Sequence, residues 1–260
     1  MRETATVNYH VKSSDVQAFH FDVGGVPGNL ISPELKPTQV AVRDVRGKSS
    51  SISFKSDGIC FERHSAQTQA FDDRQSWTNT YDAEIRTLLT DKIGASEVIV
   101  FDHTVRIDNA NADRKPARNV HNDYSERSAE QRLIDIVGEE RAREFRSGHY
   151  GFVNVWRPIE NSIQNSPLGF INPRSLSTGD WMTIELIYAD RVGEILGVAA
   201  NRDHDWFYLS KMTPDEVAIF NIYDNRGRPS LGHSALDMEF SNSAAPPRKS
   251  IETRTLVRYP

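Results

Sequence analysis

Tyr150-Gly151-Phe152-Val153-Asn154-Val155-Trp156 is a run of alternating small, β-branched and aromatic residues, the chemistry of a strand rather than a helix. The same chemistry recurs at 181–188, 193–199, 206–209, 217–223 and 250–259. Earlier segments at 4–11, 39–45, 51–54, 58–61 and 97–105 alternate in the same way and are separated by Gly, Pro and Ser-rich turns. One clear helix is predicted at 81–93, with Ile85, Leu88, Leu89 and Ile93 on one face and Gly94 as its stop. Ser128 opens a second helical pattern that runs through Val137, breaks near Gly138 and resumes to about Phe145. The polar stretch 108–119 has no periodicity and reads as a loop, a candidate lid, leading into 120–124. Many short strands without strand–helix alternation predict a mainly β fold. The expected form is a double-stranded β-helix (jelly roll) with α-helices flanking one face, built as a single domain over 1–260.

Composition narrows the function classes. With 38% hydrophobic and 26% charged residues, the 260-residue chain can bury a sizeable core. A net charge of -5 gives no broad positive field, so nucleic acid is not an expected partner. The single cysteine, Cys60, cannot form an internal disulfide and reads as a buried apolar residue. No signal-like apolar run and no membrane-length segment stand out, so a cytoplasmic protein without a membrane partner is expected.

His121-Asn122-Asp123 places an imidazole and a carboxylate two residues apart, on one side of a strand. A third ligand from a distant strand would complete a two-His, one-carboxylate facial triad for Fe(II), leaving positions open for a chelating cosubstrate and dioxygen. Eight histidines make a chance His-x-Asp unsurprising, and His20-Phe21-Asp22 has the same spacing. The C-terminal end separates them. His233 is followed by Arg248-Lys249-Ser250, where Arg248 and Ser250 share a strand face and can grip one carboxylate. Fe(II), one Asp and a 2-oxoglutarate dianion sum to -1, which one buried arginine neutralises. The alternative is that Arg248 and Ser250 merely open an edge strand with solvent-facing side chains.

Several blocks together resemble the fungal and bacterial oxygenases related to cephem 7-methoxylation proteins and gibberellin desaturase-like proteins, the CmcJ/NvfI-like family. They include Val42-Arg43-Asp44-Val45-Arg46-Gly47, Phe101-Asp102-His103-Thr104-Val105-Arg106, Val120-His121-Asn122-Asp123-Tyr124-Ser125 and Asn154-Val155-Trp156-Arg157-Pro158. Asp205-Trp206-Phe207-Tyr208, His233-Ser234-Ala235-Leu236 and Pro247-Arg248-Lys249-Ser250-Ile251-Glu252-Thr253-Arg254 follow in family order. The resemblance spans most of the chain and implies a jelly-roll core, Fe(II), 2-oxoglutarate and O2, with His121, Asp123 and His233 as metal ligands. The family usually has a longer tail after the second histidine and often an Asp where this chain has Asn172. Both departures lie outside the triad, in regions where members of such a family differ.

Two further arginines are candidates for the cosubstrate site. Arg254 shares a face with Arg248 and Ser250, and either backs the clamp or competes for its role. Arg157 supports 2-oxoglutarate, meets a substrate carboxylate, or forms a structural ion pair. Asn154 and Trp156 share a face and line either pocket or core. His103, His149 and His204 are expected to be satisfied structural histidines. The function expected is an Fe(II)/2-oxoglutarate-dependent oxygenase of secondary metabolism, a dioxygenase-type oxidoreductase acting on a small molecule by hydroxylation, desaturation or oxidative ring closure. Arg106, Arg114, Arg118 and Arg157 tilt the substrate toward a carboxylate such as an amino acid. The competing readings are a 2-oxoglutarate-independent jelly-roll metalloenzyme, a dioxygenase or isomerase, and a non-catalytic binding module.

Overall fold

A computed structural model of the chain describes residues 2–26, 28–68, 70–240, 242 and 244–260. The first half carries β1 (Arg2–His10), β2 (Gln17–Phe21), β3 (Leu30–Ile31), β4 (Leu35–Asp44), α1 (Phe54–Asp57), β5 (Ile59–Arg63), α2 (Arg74–Ile93), β6 (Glu97–Ile107) and β7 (His121–Asn122). There follow α3 (Glu126–Ser147), β8 (His149–Pro158), β9 (Leu168–Ile171), β10 (Trp181–Ile187), β11 (Val192–Val198) and β12 (Trp206–Tyr208). β13 (Glu216–Asp224), β14 (His233–Ala235), β15 (Asp237–Met238) and β16 (Lys249–Tyr259) complete the described elements.

The strands form two sheets, as a jelly roll requires. The large one has the order β15-β1-β4-β12-β9-β14-β7-β11-β10-β2-β3, and the small one β5-β13-β8-β16-β6. β8 and β16 pair antiparallel from Ser250 opposite Pro158 to Tyr259 opposite His149. Because side chains alternate across a strand, this pair sorts its residues between two cores. Phe152, Trp156 and Leu256 enter the cluster with Phe170 and Phe207 of the large sheet. Val153, Val155, Ile251 and Val257 instead lie under Trp77, Tyr81, Ile85, Leu88 and Leu89 of α2. Full burial of each such large apolar side chain contributes about 1.5–3 kcal/mol.

The helix predicted at 81–93 starts earlier, at Arg74, because Asp73 caps it by accepting from the Gln75 N–H at 3.1 Å. Gly94 ends it at φ 70°, as expected. The second helix is capped by Ser125 rather than Ser128: the Ser125 hydroxyl accepts from the Ser128 N–H while Ser128 Oγ accepts from the Ser125 N–H. Gly138 interrupts it at φ 77°, ψ 163°. The two helices do not flank one face. α2 covers the outside of the small sheet, whereas Ala129, Leu133, Ala142 and Phe145 of α3 join the core shared with the large sheet. The strand expected at 51–54 is absent; Ser49–Ser51 forms a 3-10 turn and Ser53 caps the single turn of α1. Serines that bond their own backbone won over the alternating pattern there. The stretch 108–119 has no strand or helix, as read from the sequence. Among the described residues no helix is long and apolar enough to cross a membrane.

Candidate iron and cosubstrate site

β7 lies between β14 and β11, with His121 opposite both His233 and Gly197. Residues paired across a strand ladder project to the same side, so two histidines 112 positions apart in sequence meet with ring centroids 4.5 Å apart. Asp123 follows β7 directly and turns into the same space. His121, Asp123 and His233 are all buried, and each offers a ligand atom within 4.8 Å of the others.

Hydrogen bonds fix the orientation of each group. His121 Nδ1 donates to the Asn119 carbonyl at 2.8 Å and His233 Nδ1 to the Leu231 carbonyl at 3.0 Å, which leaves both Nε2 atoms free of protons and available to a metal. Asp123 Oδ1 lies 3.5 Å from His121 Nε2, while Oδ2 accepts from Asn154 Nδ2 at 2.9 Å and Arg254 Nε at 3.0 Å. Burial alone would raise the Asp123 carboxyl, but the Arg254 guanidinium beside it holds it well below the ordinary carboxylate range. Burial, with the neighbouring His121, pushes His233 down to about 3, so its imidazole is neutral. Two imidazoles presenting Nε2 and one carboxylate are the donor set that suits Fe(II).

Arg248 is buried just before β16. Its Nε and Nη2 each lie 3.3 Å from Ser250 Oγ, and Nη1 donates to the Ser166 carbonyl at 2.5 Å. The guanidinium sits 5.0 Å from the Trp156 ring centre. Burial, and Arg106 beside it, bring its pKa down to about 9. Among the described residues no carboxylate lies within ion-pair distance of it, and the buried Trp156 Nε1 has no partner. A buried cation and an adjacent unpaired N–H mark a place built for an anion. Sequence reading missed Ser166, which holds φ 50° and is tied through its hydroxyl to Asp108 at 2.6 Å and Arg118 at 3.1 Å. Nothing in Asn165-Ser166-Pro167 signals that role.

Two of the sequence candidates fall elsewhere. Arg157 alternates with Asn154 and Trp156 and so faces α2, where it lies 5.9 Å from the Tyr81 ring centre and donates through Nη2 to the His64 carbonyl. The expectation that it supports 2-oxoglutarate is therefore corrected: it is on the far side of the sheet from Arg248. Arg254 faces inward but is committed to Asp123, Asp102 and Glu252, so it belongs to the metal end of the site rather than to the clamp. His20 and Asp22 are exposed, with Asp22 in a left-handed turn. His103 is satisfied by Asp82 and Thr253, His149 by Asp224, and His204 by Tyr9 and Asp180.

Residues 7–258 match the family described as oxidoreductase/YMDC permease-like domain. The chain is 29% identical over 282 residues to the hydroxylase/desaturase efuI of Hormonema carpetanum, covering 97% of this chain and 93% of that protein. It is 28% identical over 232 residues to the Fe(II)/2-oxoglutarate-dependent dioxygenase nvfI of Aspergillus novofumigatus, covering 85% and 83%. The fold is that of the solved iron and alpha-ketoglutarate-dependent endoperoxidase NvfI, with a TM-score of 0.83 at 23% identity over 100% of this chain and 98% of that one. Matched over nearly its whole length, the chain belongs to this oxidoreductase family, the Fe(II)/2-oxoglutarate-dependent oxygenases that its sequence blocks resemble.

Proposed function

We propose that the chain, acting as one catalytic domain over 1–260, binds Fe(II) through His121 Nε2, His233 Nε2 and Asp123 Oδ1 and grips the distal carboxylate of 2-oxoglutarate with Arg248 and Ser250. The observation that carries this reading is the buried Arg248 guanidinium, with no carboxylate partner among the described residues, at the side of a buried two-His, one-carboxylate cluster. When bound, the iron with 2-oxoglutarate and dioxygen supplies the oxidising chemistry.

The chain's own residues orient and enclose. The Asn119 and Leu231 carbonyls set the histidine tautomers, Ser166 and Ser250 aim the Arg248 fork, and Trp156 walls the clamp off from water while offering its N–H. An enclosed site of this kind holds a substrate C–H bond in place and keeps bulk water out.

The substrate is a small molecule. A carboxylate-bearing one is favoured by Arg106, which lies opposite Ser250 on the inner side of β6. Arg118 is occupied by Asp108 and Asp237, Arg157 faces α2, and Arg114 is exposed. Anaerobic addition of Fe(II) and 2-oxoglutarate should produce a visible charge-transfer band, and air should then release succinate. No band and no succinate would overturn the proposal. With those cofactors and ascorbate, a mass-spectrometric screen reading oxygen insertion or loss of two hydrogens then identifies the substrate.

A further inference from the structure

Asp123 is the one ligand of the cluster with two equivalent donor atoms, so what its second oxygen does decides how many iron positions it takes. Oδ2 is held by two donors from neighbouring strands, Asn154 Nδ2 at 2.9 Å and Arg254 Nε at 3.0 Å. Asn154 and Arg254 stand opposite each other in the β8–β16 ladder, so they approach the carboxylate side by side from the small sheet. Arg254 cannot swing away. Its Nη1 donates to Asp102 at 2.8 Å and Thr104 at 3.1 Å, and its Nη2 is ion-paired with Glu252 at 2.6 Å. All three nitrogens of the guanidinium are thereby used, and the planar fork has one orientation available.

We infer that Asn154 and Arg254 are positioning residues that keep Asp123 a one-oxygen ligand, holding Oδ2 off the metal so that a coordination position stays open for dioxygen. The inference rests on the iron assignment proposed above. An octahedral ion with a three-ligand facial triad has three positions left, of which a chelating 2-oxo acid takes two. A carboxylate that closed onto the metal through both oxygens would fill the last. The cosubstrate would still bind, and dioxygen would not.

The test compares the wild type with Asn154→Ser, Arg254→Lys and the double variant. These changes shorten or remove the donors while keeping the charge beside Asp102 and Glu252, and a thermal melt without metal checks folding. Each protein is titrated anaerobically with Fe(II) and 2-oxoglutarate to read the charge-transfer band and the Kd for the cosubstrate, then opened to air to time the decay of the band. The expected result is a cosubstrate Kd within about threefold of wild type in every variant, with decay slowed about tenfold or more in the double variant and less in the singles. Decay at the wild-type rate in the double variant overturns the inference alone. So does a parallel loss of cosubstrate binding and decay, the mark of a general structural role. A wild type without a band overturns the iron assignment and this inference with it.

Discussion

A Cβ placed on Gly197 would lie 2.7 Å from Cδ2 of His10, so the glycine is what admits the imidazole beside the metal cluster. Gly197 is the cross-strand partner of His121, and its missing side chain would project to the same side as that ligand. Gly197→Ala must push against His10 and Ile184 Cγ1 at 2.8 Å, both in a packed interior. Overpacking of this kind costs about 1–3 kcal/mol. Thermal unfolding should show that loss, and Fe(II) affinity should weaken because β11 carries β7 with it. An unchanged melt would show that β11 moves freely.

His10 itself makes the protein acid-sensitive. Among the described residues neither nitrogen of its buried ring has a partner, and burial, then His121, depress its pKa from 6.5 to about 4. As pH falls below 6.5 the unfolded chain takes up the proton first, so the stabilisation is complete above about 6.5 and is lost on the way down to about 4. At roughly 1.4 kcal/mol per pKa unit, the loss is on the order of 3 kcal/mol. Urea midpoints of the metal-free protein at pH 7 and pH 4.5 should differ accordingly, and His10→Leu should narrow the difference. A variant with the full wild-type acid slope would place the sensitivity elsewhere.

The clamp separates residues that the sequence grouped together. Arg248→Gln removes a buried charge-assisted pair, worth about 1.5–3 kcal/mol per hydrogen bond, and should raise the KM for 2-oxoglutarate by about 10- to 100-fold. Ser250→Ala, which removes a neutral partner, should cost about fivefold. Arg157→Gln should leave that KM within about twofold and instead lower the melting temperature, since it strips the His64 carbonyl and the Tyr81 ring of their partner under α2. An effect of Arg157→Gln on KM as large as that of Arg248→Gln would contradict the sidedness of β8.

Much of this site is written in strand parity. Asn154 and Trp156 share one face of β8, and the same alternation puts Arg157 on the other, so its exclusion was available from sequence once the inner face was known. Arg254 passes the parity test with Arg248 and Ser250. It fails on distance, because six residues of strand span about 20 Å and put it beyond the reach of one carboxylate. It meets the iron ligand instead, a contact between positions 123 and 254 that no local pattern encodes. The triad was legible because His121 and Asp123 sit two apart and His233 stands near the clamp. The true start of α2 was not, because Trp77 is the only apolar residue in its first turn. Nor was the parting of the helices between two cores, since an amphipathic face does not say which sheet covers it.

Metal loading should stabilise the fold through the triad and not through the second His-x-Asp. A ligand bound only by the native state stabilises by RT ln(1 + [L]/Kd), about 2.7 kcal/mol at a hundredfold excess over Kd. In the anaerobic melt, Fe(II) with 2-oxoglutarate should therefore raise the wild-type transition by several degrees, and a chelator should reverse it. His233→Ala and Asp123→Ala should each abolish the shift, because the two ligands that remain cannot hold the ion in a buried site. His20→Ala should keep it whole, since His20 lies exposed on β2 with Asp22 turned into a left-handed bend. A shift that survives His233→Ala but is lost in His20→Ala would move the metal to the N-terminal pair and leave the buried Arg248 without its anion.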